Sequence, residues 1–243
     1  MTDSLTPELQ SKVDSVVARL QEASSLYDGS LVLANSLGAE DMLLADLIDR
    51  HALSIPQFVL DTGRLPEETL TLLATMTKRY VASKVDVFYP DAASVEAYVR
   101  ESGINGFYES QALRKQCCAV RKLEPLARAL KGRKAWITGL RREQSVTRDA
   151  VEFSEWDAGN GLQKLNPLAD WKESEVWAYL RFFEVPYNEL HDRHYPSIGC
   201  APCTRAISVG EDLRAGRWWW ENPENRECGL HAAASSLIPL KPR

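Results

Sequence analysis

The strongest constraint on this chain is the alternation, over its first half, of short apolar runs with longer amphipathic ones. "SLVLANS" reads as a buried strand, and "PQFVLDT" and "VDVFYP" as strands. Between them, "AEDMLLADLIDRHAL" and "PEETLTLLATMTKRY" space their apolar residues as helices do. A leading helix is expected over residues 7–26, with Leu9, Val13, Val16, Val17 and Leu20 on one face, Thr6 able to cap and Pro7 suited to the first turn. A further strand, "KAWITGL", runs into the basic loop "RREQSVTR". Strands joined through helices cannot pair as hairpins, so the expected fold class is α/β, a doubly wound and mainly parallel sheet reaching to about residue 168. Beyond it "KESEVWAYLRFFEV" reads as a helix and the remainder as irregular, rich in Pro, Gly and Trp.

The length of 243 residues is ample for a full core without disulfides. The N-terminus lacks the basic-then-apolar pattern of a signal peptide, and no window approaches a membrane span, so a cytoplasmic protein with no membrane partner is expected. The net charge of −5, with both signs interspersed, gives no nucleic-acid-binding signature. The expected organisation is an N-terminal helical segment (1–28), an α/β domain (29–210) and a mobile C-terminal segment (211–243).

Three strand ends could meet a nucleotide. In "VLANSLGAEDM", the turn carrying Ser36 and Gly38 leads into a helix whose first amides attract anions, so an anion is expected against residues 36–40; an ordinary strand-to-helix turn reads equally well. "VLDTGRL" places Asp61, Thr62 and Gly63 at a second carboxyl edge, where Asp61 could equally cap a helix. "ITGLRREQSVTR" sets Arg141, Arg142 and Arg148 past a third, and forked guanidinium groups suit phosphate or sulfate oxygens.

Five cysteines carry the remaining chemistry. In a reducing compartment, paired thiols are metal ligands or redox groups before they are structural bridges. Cys117 and Cys118 are adjacent, and Cys200 and Cys203 form a second pair. Together they make a thiol-only set suited to an iron–sulfur cluster or zinc. A local set of His191, His194, Cys200 and Cys203 could instead close a zinc site, but it leaves the first pair unexplained. Lys122, one helical turn past Cys118, could offset cluster charge and reach an anionic substrate. Cys228 stands alone in "ENRECGLH" and is the candidate nucleophile or redox thiol; Glu227 would raise its pKa, Arg226 and His231 would lower it.

With these residues in view, the chain resembles the sulfonucleotide reductases, in particular the branch that bears a 4Fe-4S cluster and acts on adenosine 5'-phosphosulfate. The resemblance rests on "SLGAEDM", "LDTG", the "CC…RK" pair, "GLRREQS", "NPLADWKESEVWAYL", "YPSIGCAPCTRA", "GRWWWE" and "ECGLH", in that order. It implies a sheet of the adenine nucleotide alpha hydrolase or ATP pyrophosphatase-like type. AMP would lie at the edges formed by Leu60, Asp61 and Gly63 and by Gly139, Arg141 and Arg142. The phosphosulfate would lie among Lys122, Arg214 and Arg217, with His231 among the substrate contacts. The resemblance further implies a 4Fe-4S cluster on Cys117, Cys118, Cys200 and Cys203, and Cys228 as the nucleophile that forms an S-sulfocysteine. Thioredoxin or a glutaredoxin-like dithiol would discharge it, within assimilatory sulfate reduction and cysteine biosynthesis. The 3'-phosphorylated nucleotide is the alternative substrate. A tRNA-thiolating enzyme is disfavoured by "NSLGAED" in place of an ATP loop and by the acidic balance; a noncatalytic metal-stabilised module is the other rival. The sequence leaves homo-oligomer formation open.

Overall fold

The computed structural model of the protein describes residues 4–81, 83–144 and 150–222. Helix α1 (Pro7–Leu26) begins where the capping signals place it, with the Thr6 hydroxyl accepting the Leu9 N–H at 3.3 Å. There follow β1 (Leu31–Ala34), α2 (Ala39–Arg50), β2 (Gln57–Leu60), α3 (Glu67–Arg79), β3 (Val85–Phe88) and α4 (Ala92–Ser102). Helix α5 (Gln111–Cys118) passes through a π-helical turn (Ala119–Leu123) into α6 (Glu124–Leu130). Strand β4 (Ala135–Ile137), the hairpin β5 (Ser154–Asp157) and β6 (Leu162–Leu165), and α7 (Glu173–Phe182) complete the regular elements.

The six strands lie in the order β3-β2-β1-β4-β6-β5. Every neighbouring pair is parallel except β5 with β6, so the sheet is mainly parallel as expected, with an antiparallel edge. The β5–β6 hairpin was not anticipated from the sequence. Strand order reverses between β1 and β4, which opens a crevice at their carboxyl ends, the place where open α/β sheets take ligands.

Both faces of the sheet are covered. On β1, Leu31 and Leu33 enter the core built with α1, α2, α3 and α7, while Val32 turns to the opposite cluster with Phe58, Leu126 and Trp136. That division follows from the two-residue period of a strand. Each such buried aliphatic side chain contributes about 1.5–3 kcal/mol relative to exposure. Helix α1 is thus part of the main core, through Val16 and Leu20. No helix among the described residues is long and apolar enough to cross a membrane.

Candidate active site

The crevice is a cleft of about 270 Å³ lined by the ends of β1, β2 and β4, by residues 196–199 and by Leu213, Arg214, Arg217 and Trp218. Ser36, Gly38, Leu60, Lys122, Gly139, Arg214 and Arg217 all line it. Asp61, Gly63, Arg141 and Arg142 do not. Asp61 accepts the Gly63 N–H at 2.8 Å, which stabilises a turn in which Gly63 has φ +67°. Arg141 is buried and paired with Glu40 at 2.8 Å and Glu143 at 3.2 Å, so its fork is spent on the chain's own carboxylates. Arg142 donates to the Val151 carbonyl at 2.8 Å and stacks over the Phe153 ring. Arg148, Cys228 and His231 lie outside the described residues.

The turn after β1 also differs from the expected anion cradle. Its amides are engaged internally: Ser36 N–H donates to Asp41 Oδ2 at 2.7 Å, Leu37 N–H to Asn35 Oδ1 at 2.8 Å and Gly38 N–H to Ser36 Oγ at 3.4 Å. The Ser36 hydroxyl donates to the same Asp41 oxygen at 2.6 Å. Burial pushes the Asp41 carboxyl up to about 6, against the hydrogen bonds from Ser36, so it is ionised at neutral pH. The β4 end approaches this turn so closely that a Cβ at Gly139 would stand 2.4 Å from Asp41 Oδ1, which explains why glycine is needed there. His191, a candidate zinc ligand on sequence, lines the same cleft; burial holds it below the ordinary histidine value and its Nε2 has no partner.

The two cysteine pairs converge beside the cleft although 82 residues separate Cys118 from Cys200. Cys117, Cys200 and Cys203 share an apolar cluster with Phe107, Trp218 and Trp220. Cys118, the next residue along α5, is buried and hydrogen-bonded to Arg114. None of the four is disulfide-bonded. Burial pushes Cys117 up, against Arg121 and Arg64, and pushes Cys203 up to about 12, against Lys122 and Arg217. Thr62 Oγ1 lies 3.3 Å from Cys200 Sγ, a contact the sequence reading did not anticipate. Arg121 was also missed; it donates to the Thr62 carbonyl at 2.7 Å. The π-helical turn alters the phase after Cys118, so Arg121 is buried beside Thr62 while Lys122 lines the cleft.

Among the described residues, no group of three or more His, Cys, Asp or Glu is disposed to hold a single metal ion, which removes support from the local zinc set of His191, His194, Cys200 and Cys203. A four-iron cluster spreads its ligand sulfurs further apart than one ion does, and the surroundings of the thiols suit it. The buried indole N–H groups of Trp218 and Trp220, in the same cluster as three of the thiols, have no acceptor. Arg64, Arg114, Arg121, Lys122 and Arg217 supply the positive charge that thiolate ligands require.

The segment leading toward the tail is held against this cluster. Trp218 N–H donates to the Cys203 carbonyl at 3.2 Å, and Arg114 holds Glu221 through a buried two-point ion pair, 2.8 and 2.6 Å. Of the tryptophan run, Trp218 is buried while Trp219 is exposed.

Fold and site together define a reductase of sulfonucleotides: residues 30–206 match the phosphoadenosine phosphosulfate reductase domain, and the chain belongs to that family. Within it, the chain is 60% identical to the adenosine 5'-phosphosulfate reductase of Allochromatium vinosum over 83% of its own length and 78% of the relative's. It is 52% identical to the protein of the same name from Burkholderia cepacia, over 97% of its own length and 94% of the relative's. Among solved structures, phosphoadenylyl-sulfate reductase from Candida auris, in a phosphate complex, superposes with a TM-score of 0.67 at 24% identity, covering 84% of this chain and 98% of that one. FMN adenylyltransferase from Candida glabrata shares the fold at a TM-score of 0.59 and 15% identity, covering 99% of this chain and 81% of that one.

Proposed function

We propose that the protein reduces adenosine 5'-phosphosulfate to sulfite and AMP with electrons from a dithiol. The observation that carries this reading is the cleft at the β1–β4 switch point, which joins strand ends suited to a nucleoside to a wall bearing Lys122, Arg214 and Arg217 beside four thiols. The close relatives bearing the adenosine 5'-phosphosulfate reductase name support the choice of nucleotide.

In this reading Leu60 and Gly139 border the base, while Lys122, Arg214 and Arg217 hold the phosphosulfate. The Cys228 thiolate attacks the sulfate sulfur. The S–O bond to the phosphate breaks, its electron pair leaves on AMP, and Cys228 becomes an S-sulfocysteine. A thiolate of thioredoxin or a glutaredoxin-like protein then attacks the Cys228 sulfur and expels sulfite with the bonding pair. The donor's second thiol resolves the mixed disulfide, so two electrons pass from the dithiol to sulfur. When bound by Cys117, Cys118, Cys200 and Cys203, a 4Fe-4S cluster supplies fixed charge and a structural tie; the electrons come from thiols.

Sulfite and AMP are to be measured from both sulfonucleotides with thioredoxin present. The expected result is a higher kcat/KM for the nucleotide without the 3'-phosphate; a higher value for the 3'-phosphorylated form would overturn the assignment. Alanine at Lys122, Arg214 or Arg217 is expected to raise the barrier by about 1.5–3 kcal/mol each, seen as a loss in kcat/KM. Unchanged kcat/KM in all three variants would remove the cationic wall from the site.

A further inference from the structure

In the proposed reaction the thiol of Cys228 must meet a sulfur atom held in the cleft, so the last point at which the chain is fastened before Cys228 sets where that thiol can go. Among the described residues that point is Glu221. Arg114 of α5 donates to its carboxylate from Nε at 2.8 Å and from a terminal nitrogen at 2.6 Å, and the two side chains are only 1% and 7% exposed. The Glu221 N–H donates to the Trp218 carbonyl at 2.8 Å, and the Trp218 N–H to the Cys203 carbonyl at 3.2 Å, so residues 218–221 form a turn fastened to the second cysteine pair. Seven residues separate Glu221 from Cys228, and a fully extended chain of that length spans at most about 25 Å. The pair therefore stands at the root of a short tether.

Arg114 has a second commitment. It is hydrogen-bonded to Cys118, four residues further along α5, and its guanidinium carbon lies 4.8 Å from the centre of the Trp218 ring. One guanidinium thus joins a thiol of the first cysteine pair to the carboxylate at the root of the tether. Taking two charges out of water is costly, and a well-packed apolar pair would serve stability as well. What a two-point ion pair adds is a fixed direction. Neither residue lines the cleft, so the pair has no part in holding the nucleotide. Resting on the functional reading above, we infer that Arg114 and Glu221 are positioning residues for the nucleophile: Arg114, held at Cys118, fixes Glu221 and so places the Cys228 thiolate in line with the bound sulfate sulfur. On this account the first cysteine pair has a mechanical purpose that needs no electron transfer, because Cys118 holds the residue that holds the tether.

The test is a single turnover of the iron-loaded protein with adenosine 5'-phosphosulfate and no dithiol, the sulfonate on Cys228 being followed by rapid quench and mass spectrometry. Iron content, AMP affinity and the rate at which iodoacetamide alkylates Cys228 are read on the same preparations. Glu221→Gln removes one charge without touching Cys118, and Arg114→Lys keeps a charge beside Cys118 but loses the fork. Each is expected to slow sulfonate transfer by at least about tenfold, the scale on which a displaced reacting group loses rate. Iron content and AMP affinity should stay at wild-type values and alkylation should be no slower, since Arg217 keeps its own bonds to Ser197 Oγ at 3.3 Å and to the Ile198 carbonyl at 3.2 Å. Arg114→Lys decides the matter if Glu221→Gln fails to melt cooperatively. Transfer at the wild-type rate in the variants would overturn the inference, as would a slowing matched by an equal loss of iron, AMP affinity or alkylation, which is what a merely structural pair would give. A wild-type protein that bound AMP but formed no sulfonate on Cys228 would instead overturn the functional reading.

Discussion

Serine in place of Cys228 is expected to abolish sulfite formation while leaving iron content and nucleotide affinity at wild-type values. The reason is chemical. At neutral pH a cysteine holds a fraction of reactive thiolate, whereas a serine hydroxyl has no base assigned to it here and is a far poorer nucleophile. Lys122, Arg214 and Arg217, the residues proposed to hold the substrate, are separate from it in the chain, so binding should survive. The check is sulfite release under turnover, set beside AMP binding and iron analysis of the same preparation. Sulfite released by Cys228→Ser at the wild-type rate would exclude Cys228 as the nucleophile.

Serine in place of Cys200 or Cys203 should have the opposite profile: loss of the brown absorbance near 400 nm, loss of iron and sulfide, and a lower melting temperature. These thiols lie in the apolar cluster of Phe107 and Trp218, on which the 203–221 segment is folded. Replacing one of these thiols would remove a tie of the proposed cluster to this apolar cluster, and metal-group binding of this kind contributes to folding stability. The wild-type protein, purified without oxygen, should carry about four irons per chain. Stoichiometric zinc without sulfide would contradict the cluster assignment.

Much of the fold was legible because local signals agreed with tertiary structure. Thr6 and Pro7 mark the start of α1, and the apolar runs at β1, β2, β3 and β4 locate the parallel core. The β5–β6 hairpin was not legible because β5 is a polar edge strand and β6, though paired on both sides, carries Gln163 and Lys164 between its two leucines. Trp156 is 64% exposed there, and "SEWDAGNGLQKL" lacks a long apolar run. Its turn signals were nevertheless present: Asp157 accepts from Gly159 and Asn160, and Gly161 takes φ +70°.

The site divided in the same way. Residue type and pairing drew attention to the cysteines, and the strand ends to the cleft. Which charges meet which partners was hidden, because partners are chosen by tertiary contact. Arg141 read as a phosphate fork, yet Glu40 lies 101 residues before it in sequence and takes it. Lys122 was placed on the face of Cys118 by α-helical spacing, which the π-helical turn between them replaces. Asp41 was not singled out from the sequence; only its contacts with Ser36 and its closeness to Gly139 show what it organises.

The central claim is that sulfur passes through a covalent bond to one cysteine. The direct measurement is mass spectrometry of wild-type protein incubated with adenosine 5'-phosphosulfate in the absence of any dithiol. The account predicts one added sulfonate on the peptide containing Cys228, AMP released in equal amount, and loss of the added mass with release of sulfite when thioredoxin is supplied. A sulfonate on Cys117, Cys118, Cys200 or Cys203 instead, or AMP release with no covalent adduct, would contradict it.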